Sequence, residues 1–310
     1  MKKNAILATL VLLSCFNIEH GGASQSPNSL APIGAATGEK QLGDITSTSG
    51  GQGIVTAKDE TDENWWSRQP KEKKMLYTNL SVVTAIGIFG LATWDDDSAG
   101  FKTGNEGWFG QNTKYGGSDK FSHLWSTYVF SDALTGLYKS WGYAPETANN
   151  YAALSSWTVM LFKELGDGTS VTKGFSWEDM VMNTVGALTS VLMARYPELD
   201  RKIDLRVEYV FNFPFDGISD DYSNYFYSMV LKLDGFDAME NTFAKYIEFS
   251  GGYYTRGYED PDEENTRSLF VGIGFNFSRL FGQNGWKKTG KVLEYIQVPY
   301  TVPKASYDLD

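Results

Sequence analysis

The hydrophobic period of this chain changes at Pro197, and that change limits the fold more than any other feature. Before it, apolar residues recur at helical spacing; after it, they alternate. Ser118 or Asp119 reads as the N-cap of a helix reaching about Lys139. Pro145 suits the first turn of a second helix, ending near Leu165 where Gly166 and Gly168 follow. Ser176 with Asp179 reads as the cap of another, lasting to about Ala194 before Pro197 forbids continuation. Ile203 to Tyr209 then alternates strictly, as a half-buried strand does. Further strands are expected at 223–234, 244–256, 267–279 and 292–298, between clusters of Gly, Asp and Pro. The expected class is α+β: an N-terminal bundle of about four hydrophobic helices, then an antiparallel meander of about five strands. Five strands are too few to close a membrane barrel alone, which needs about eight.

The remaining helix of that bundle is ambiguous. Residues 75–94 carry no charge and lie between Lys71, Lys73 and Lys74 and the acidic run Asp95 to Asp97. Their length permits a membrane span. Thr78, Asn79, Ser81 and Thr84 weaken the first half, so a buried or interfacial helix is the preferred reading. Residues 98–118 are Gly-rich and read as a loop with one short helix.

The N-terminus has a basic start at Lys2 and Lys3, a short apolar core from Ala5 to Phe16, and polar sequence beyond. This is an export signal, too short to span a bilayer. Leu12-Leu13-Ser14-Cys15 resembles a bacterial lipobox, which would make Cys15 the lipidated first residue of the mature protein. Ordinary cleavage near Gly21-Gly22-Ala23 is the competing reading. Cys15 is the only cysteine, so neither a disulfide framework nor a thiolate metal cluster is available. The expected divisions are a signal and lipobox at 1–24, a flexible tether at 25–69, a helical domain at 70–200, a β region at 201–298 and a tail at 299–310. The tether is rich in small polar residues and cannot bury enough surface to offset its ordering entropy. A formal net charge of −11 argues against a nucleic-acid partner, since no basic stripe meets phosphates. An aromatic content of 15% suits large buried surfaces or a membrane interface.

Between Gly116 and Arg195, polar residues interrupt otherwise apolar helices, where an unpaired charge or amide is expensive. Asp119 and His123 share a helix face, so the carboxylate could orient the imidazole and leave its other nitrogen as base or ligand. Read alone, Asp119 is equally a helix cap and His123 a core residue with one hydrogen bond. Glu164 and Asp167 are close enough to share a cation or a proton; the plainer reading pairs Glu164 with a lysine such as Lys120 or Lys163 and makes Asp167-Gly168 a turn. Ser176 and Asp179 fit a helix start, while Asn183 and Gly186 suit close helix packing. Together these groups recur on three helices, and a shared site follows if the faces converge. His123, Asp119, Glu164 and Asp167 are the catalytic candidates; Lys120, Ser176, Asp179 and Asn183 complete the polar cluster. The sequence names no cofactor and leaves any metal open.

The order Asp119-Lys120-x-x-His123, Glu164 before Asp167-Gly168, and Gly174-Phe175-Ser176-x-x-Asp179-x-x-x-Asn183-x-x-Gly186 resembles the YfiM-type predicted periplasmic lipoproteins of unknown function, themselves distantly similar to VanZ-like proteins. Asp167 stands where VanZ-like proteins usually have Gln, and Lys173-Gly174 near their usual Arg. The resemblance covers about residues 70–200 and implies a location on the periplasmic side of a bacterial envelope, associated with the outer membrane. It implies no established activity. Two readings follow: a structural or interaction role in the envelope, with the membrane as partner through lipid anchor and aromatic surface; or binding or hydrolysis of an envelope lipid or glycan, with His123 as base. A transport component is a third.

Overall fold

The computed structural model describes residues 64–93, 100–211, 221–260 and 262–310. The export signal with Cys15, nearly all of the tether and the acidic runs at 59–63 and 95–97 lie outside the described residues. Helix α1 spans Lys71–Thr93, α2 Ser118–Ser140, α3 Pro145–Asp167 and α4 Trp177–Arg195, followed by a single turn, α5, at Pro197–Asp200. Local chemistry sets these limits. Pro145 occupies the first turn of α3, and the Ser176 hydroxyl accepts from the Asp179 N–H at 3.2 Å to cap α4. The start of α2 differs from expectation. Its N-cap is Gly117, in the left-handed region at φ 88°, so neither Ser118 nor Asp119 caps the helix. The expected loop before it holds a two-residue strand, β1 (Thr103–Gly104), parallel to β2 (Phe175–Ser176), and a 3-10 turn at Lys114–Gly117.

Helices α2, α3 and α4 pack on one another and α1 lies against α3. The seam is not apolar throughout. Thr127, Ser131 and Thr135 on α2, Ala148, Ala152 and Ser156 on α3, and Gly186 and Ser190 on α4 are all buried. Small residues let the backbones approach: a Cβ on Gly186 would sit 2.3 Å from the Leu124 carbonyl oxygen. Hydrogen bonds cross the seam, from Ser156 Oγ to the Thr127 carbonyl and from Asn149 to Ser190. Apolar clusters flank it, one around Leu134 and Tyr138, the other around Tyr128, Val129, Met193 and Tyr295.

The second layer is a five-stranded antiparallel sheet in sequence order: β3 (Ile203–Tyr209), β4 (Tyr225–Lys232), β5 (Ile247–Arg256), β6 (Thr266–Phe275) and β7 (Lys304–Asp308). Its fifth member is not the segment expected. The expected strand at 292–298 begins on the last residue of a short helix, α7 (Lys287–Val292), and the segment contributes one parallel bridge, Ile296 to Val207. Pro299, which has no N–H to donate, ends any extension of that pairing. The edge strand comes instead from the expected tail. Likewise β6 stops at Phe275, because Asn276 caps another short helix, α6 (Phe277–Gln283), by accepting from Arg279 N–H.

Helix α2 meets one face of the sheet. Phe121 packs against Tyr227 and Tyr253, and the Tyr253 hydroxyl donates to the Gly116 carbonyl. The opposite face carries a buried ion network: Arg206 bonds Asp204 and Glu248, Lys232 bonds Asp204, and Lys304 bonds Glu208. Val302 lies over Gly272 and Gly274 of that face, where a Cβ would come within 2.6 Å and 3.0 Å of its methyl groups.

Candidate functional site

The polar residues of α2, the end of α3 and the start of α4 converge. Asp119, Lys120, His123, Glu164, Asp167, Ser176, Asp179 and Asn183 are all buried. At their centre the Lys120 ammonium, 0% exposed, contacts Glu106 at 2.8 Å, Asp119 at 2.7 Å and Asp179 at 2.7 Å. A buried ammonium needs such partners, since its isolated charge would be prohibitively costly. Burial works against the charge of Lys120, but Asp119 and Asp179 hold its pKa above the ordinary lysine value. Glu106 is also bonded by Lys114 at 2.5 Å; against the effect of its burial, the two lysines hold its carboxyl well below the usual range. Asp119 is the strained member. Burial outweighs the help of Lys120 and pushes its pKa up to about 7, and its Oδ1 has no hydrogen-bond partner among the described residues. Asp179 is raised as well, again chiefly by burial.

Beside this group lies His123. Its Nδ1 is 3.0 Å from Asn183 Oδ1, which also accepts from the Thr127 hydroxyl at 2.9 Å. The partner that orients the imidazole is therefore Asn183, on the facing helix, and not Asp119, whose hydrogen bond goes to Lys120. His123 Nε2 lies 3.6 Å from Glu164 Oε1 and 3.6 Å from Asp179 Oδ2, beyond hydrogen-bond length. Burial, reinforced by Lys163, lowers the His123 pKa to about 4, so the ring is neutral at physiological pH. Glu164 pairs with a lysine, the plainer of the two readings of its position: Lys163 Nζ is 3.1 Å from Glu164 and 2.9 Å from Asp167. Ser176 contributes its backbone N–H to Glu164 at 3.4 Å.

Two members escaped the sequence reading. Glu106 sits in the Gly-rich loop, where a lone acid carries no periodic signal. Thr127 looks like any seam residue until Asn183 is placed opposite it. A cavity of about 450 Å³ opens beside the cluster, bordered by Gly104, Glu106, Thr113, Lys114 and Lys173. Its border includes Glu106 but not His123. The arrangement thus offers a neutral imidazole facing two carboxylates, behind a wall of ion pairs.

Residues 105–195 match the model of a family described as predicted periplasmic lipoprotein (DUF2279). That span contains the whole cluster. No curated protein and no solved structure matches the chain.

Proposed function

We propose that this protein is an envelope lipoprotein with a structural or interaction role, held on the periplasmic side of the outer membrane by lipid on Cys15 and by its own apolar helix faces. The observation that carries the reading is an inverted distribution of polarity. On α3, Leu154 is 62% exposed, and Tyr151, Phe162 and Leu165 share its stripe; on α4, Trp177, Val181, Val185, Leu188 and Leu192 form another. Leu76, Leu80 and Ile88 do the same on α1. The seams between these helices hold hydroxyls, amides and charges. In water such stripes would be a liability; against lipid they are the stable arrangement, with small residues and polar contacts joining the helices. Among the described residues no helix is long and apolar enough to cross a membrane, so the proposed contact is with the lipid surface. The family description supports a periplasmic lipoprotein, and residues 25–69 supply the tether between anchor and folded part.

Binding or hydrolysis of an envelope lipid or glycan at His123 is the weaker reading, because burial leaves a substrate no approach to the imidazole. The test removes the anchor and keeps the faces. A Cys15→Ser protein is floated with vesicles of phosphatidylethanolamine and phosphatidylglycerol. Binding is expected to persist, and Leu154→Glu or Leu188→Glu should weaken it at least about 10-fold, each side chain being worth about 1.5–3 kcal/mol of burial. Unchanged melting of these variants would confine the effect to the surface. Vesicle binding indifferent to both substitutions would refute the reading.

A further inference from the structure

His123, Glu164 and Asp179 bring three facing atoms together: Glu164 Oε1 has the Lys163 ammonium at 3.1 Å, whereas His123 Nε2 has no hydrogen-bond partner among the described residues. The other acidic trio, Glu106, Asp119 and Asp179, closes around the Lys120 ammonium, which already supplies its cation. At His123 the geometry is different. With Nδ1–H donated to the Asn183 carbonyl oxygen, Nε2 presents a lone pair, and it points at two carboxylate oxygens. Three electron-rich atoms that face one another inside a protein repel, and of the three only Glu164 Oε1 is within ion-pair reach of the Lys163 ammonium among the described residues. The imidazole is 94% buried (6% exposed), and Nε2 has no hydrogen-bond partner among the described residues.

We propose that His123 Nε2, Glu164 Oε1 and Asp179 Oδ2 bind a first-row divalent cation, with zinc the best fit. The distances carry the argument. Zinc bonds of about 2.0–2.2 Å in tetrahedral geometry put neighbouring ligand atoms about 3.3–3.6 Å apart. The two separations from His123 are 3.6 Å, and all three atoms lie within 4.8 Å of one another. One nitrogen with two carboxylate oxygens suits zinc and its neighbours better than calcium or magnesium, which prefer all-oxygen sites. The outer shell is in place as well. Asn183 holds the back of the imidazole, Lys120 bonds Asp179 Oδ1 at 2.7 Å, and the Ser176 N–H reaches Glu164 Oε2. Each ligand is thus anchored at its far atom and presents one atom inward, as outer-shell partners of metal ligands do. Lys163 competes for Glu164 Oε1 at 3.1 Å, and an ion taking that oxygen leaves the ammonium its other partner, Asp167, at 2.9 Å.

The test uses full-length protein purified in detergent and stripped with a chelator. Calorimetric titration with Zn(II) should find one site, and Co(II) in its place should give the intense visible absorption of a four-coordinate ion. His123→Gln and Glu164→Gln should lose stoichiometric binding, while Asp167→Asn, beside the set but outside it, should keep it. Asn183→Ala should weaken it about 10–100-fold. Lys163→Met should bind at least as tightly as wild type, which a simple ion-pair explanation of the geometry does not predict. If His123→Gln fails to fold, the wild-type cobalt spectrum and Asn183→Ala decide the matter. Stripped wild-type protein that takes up no metal, or His123→Gln that binds like wild type, overturns the proposal. Neither result bears on the vesicle experiment.

Discussion

Replacing Lys120 by Met tests whether the cluster holds the helices together. Met retains most of the length of lysine and removes the charge. Three carboxylates then lose an ammonium at 2.7–2.8 Å, but not equally. Glu106 keeps Lys114 at 2.5 Å. Asp119, with a pKa near 7 even beside Lys120, takes up a proton at little cost at neutral pH. Asp179 is left as the one buried carboxylate that must be neutralised or stay charged. Breaking one buried pair costs about 3–5 kcal/mol, so that is the expected loss, not two or three times as much. For a folded unit of this size it lowers Tm by roughly 6–20 °C. Thermal and urea melts followed by circular dichroism at pH 7 and pH 5 measure it. The loss should shrink at pH 5, by up to about 1.4 kcal/mol per pH unit, because protonating the stranded carboxylates becomes cheaper. Adding Asp179→Asn to Lys120→Met should recover part of the loss, a coupling above about 0.5 kcal/mol, whereas Asp119→Asn should recover little. A Tm change under about 3 °C at pH 7, or a loss that grows at pH 5, would falsify the account.

Two further outcomes are expected. In chelator-treated protein, His123 has its pKa lowered to about 4 from 6.5, so its share of stability is present above 6.5 and lost as pH falls toward 4; Asp119, raised to about 7 from 3.8, contributes stability that is lost as pH rises toward 7. Asp119→Asn should therefore make urea midpoints climb more steeply between pH 4 and 6.5, and His123→Gln should tilt them the other way; parallel profiles would contradict both shifts. In the helix seam, Gly186→Ala drives a methyl to 2.3 Å from the Leu124 carbonyl and should cost about 1–3 kcal/mol, whereas Gly136→Ala, with nothing within 4 Å, should stabilise by up to about 1 kcal/mol. Melting temperatures that move in one direction for both would show that helix propensity, and not close packing, sets the response.

Much of the helical half was legible because its limits are written locally. Pro145 and Ser176 act within one turn of themselves, and α3 and α4 begin where those residues put them. The start of α2 was misplaced by one residue, since a positive φ at Gly117 leaves no mark that distinguishes it from other glycines of that loop. Strand β3 was evident from its alternation, whereas β7 is five residues with little apolar content and exists because β6 offers an edge. Long-range pairing of that kind has no local signature. The same holds in the cluster. The spacing of Asp119 and His123 on one helix suggested a partnership, yet the imidazole turns to Asn183 across the seam. Spacing along a helix shows which residues share a face; it does not show what the facing helix offers.

On the proposed reading, in which the exposed stripes rest on lipid, the inverted polarity accounts for the charges in the interior. A helix whose apolar face rests on lipid gains nothing further by burying that face in protein, because acyl chains are as apolar as leucine. Association must then come from close backbone approach and from polar groups that find partners only when the helices meet. Gly186 against the Leu124 carbonyl supplies the first, and Lys120 among residues of α2, α4 and the loop before α2 supplies the second. A buried ion pair adds little stability over a well-packed apolar pair, but it punishes misregister severely, since a shift of one turn strands a charge. On that reading the cluster acts as a registry device, since hydrophobic burial against lipid does not choose the register. The metal proposed at His123, Glu164 and Asp179 would strengthen that choice, because its ligands come from α2, α3 and α4 and no two of the helices could slide without breaking a bond to it.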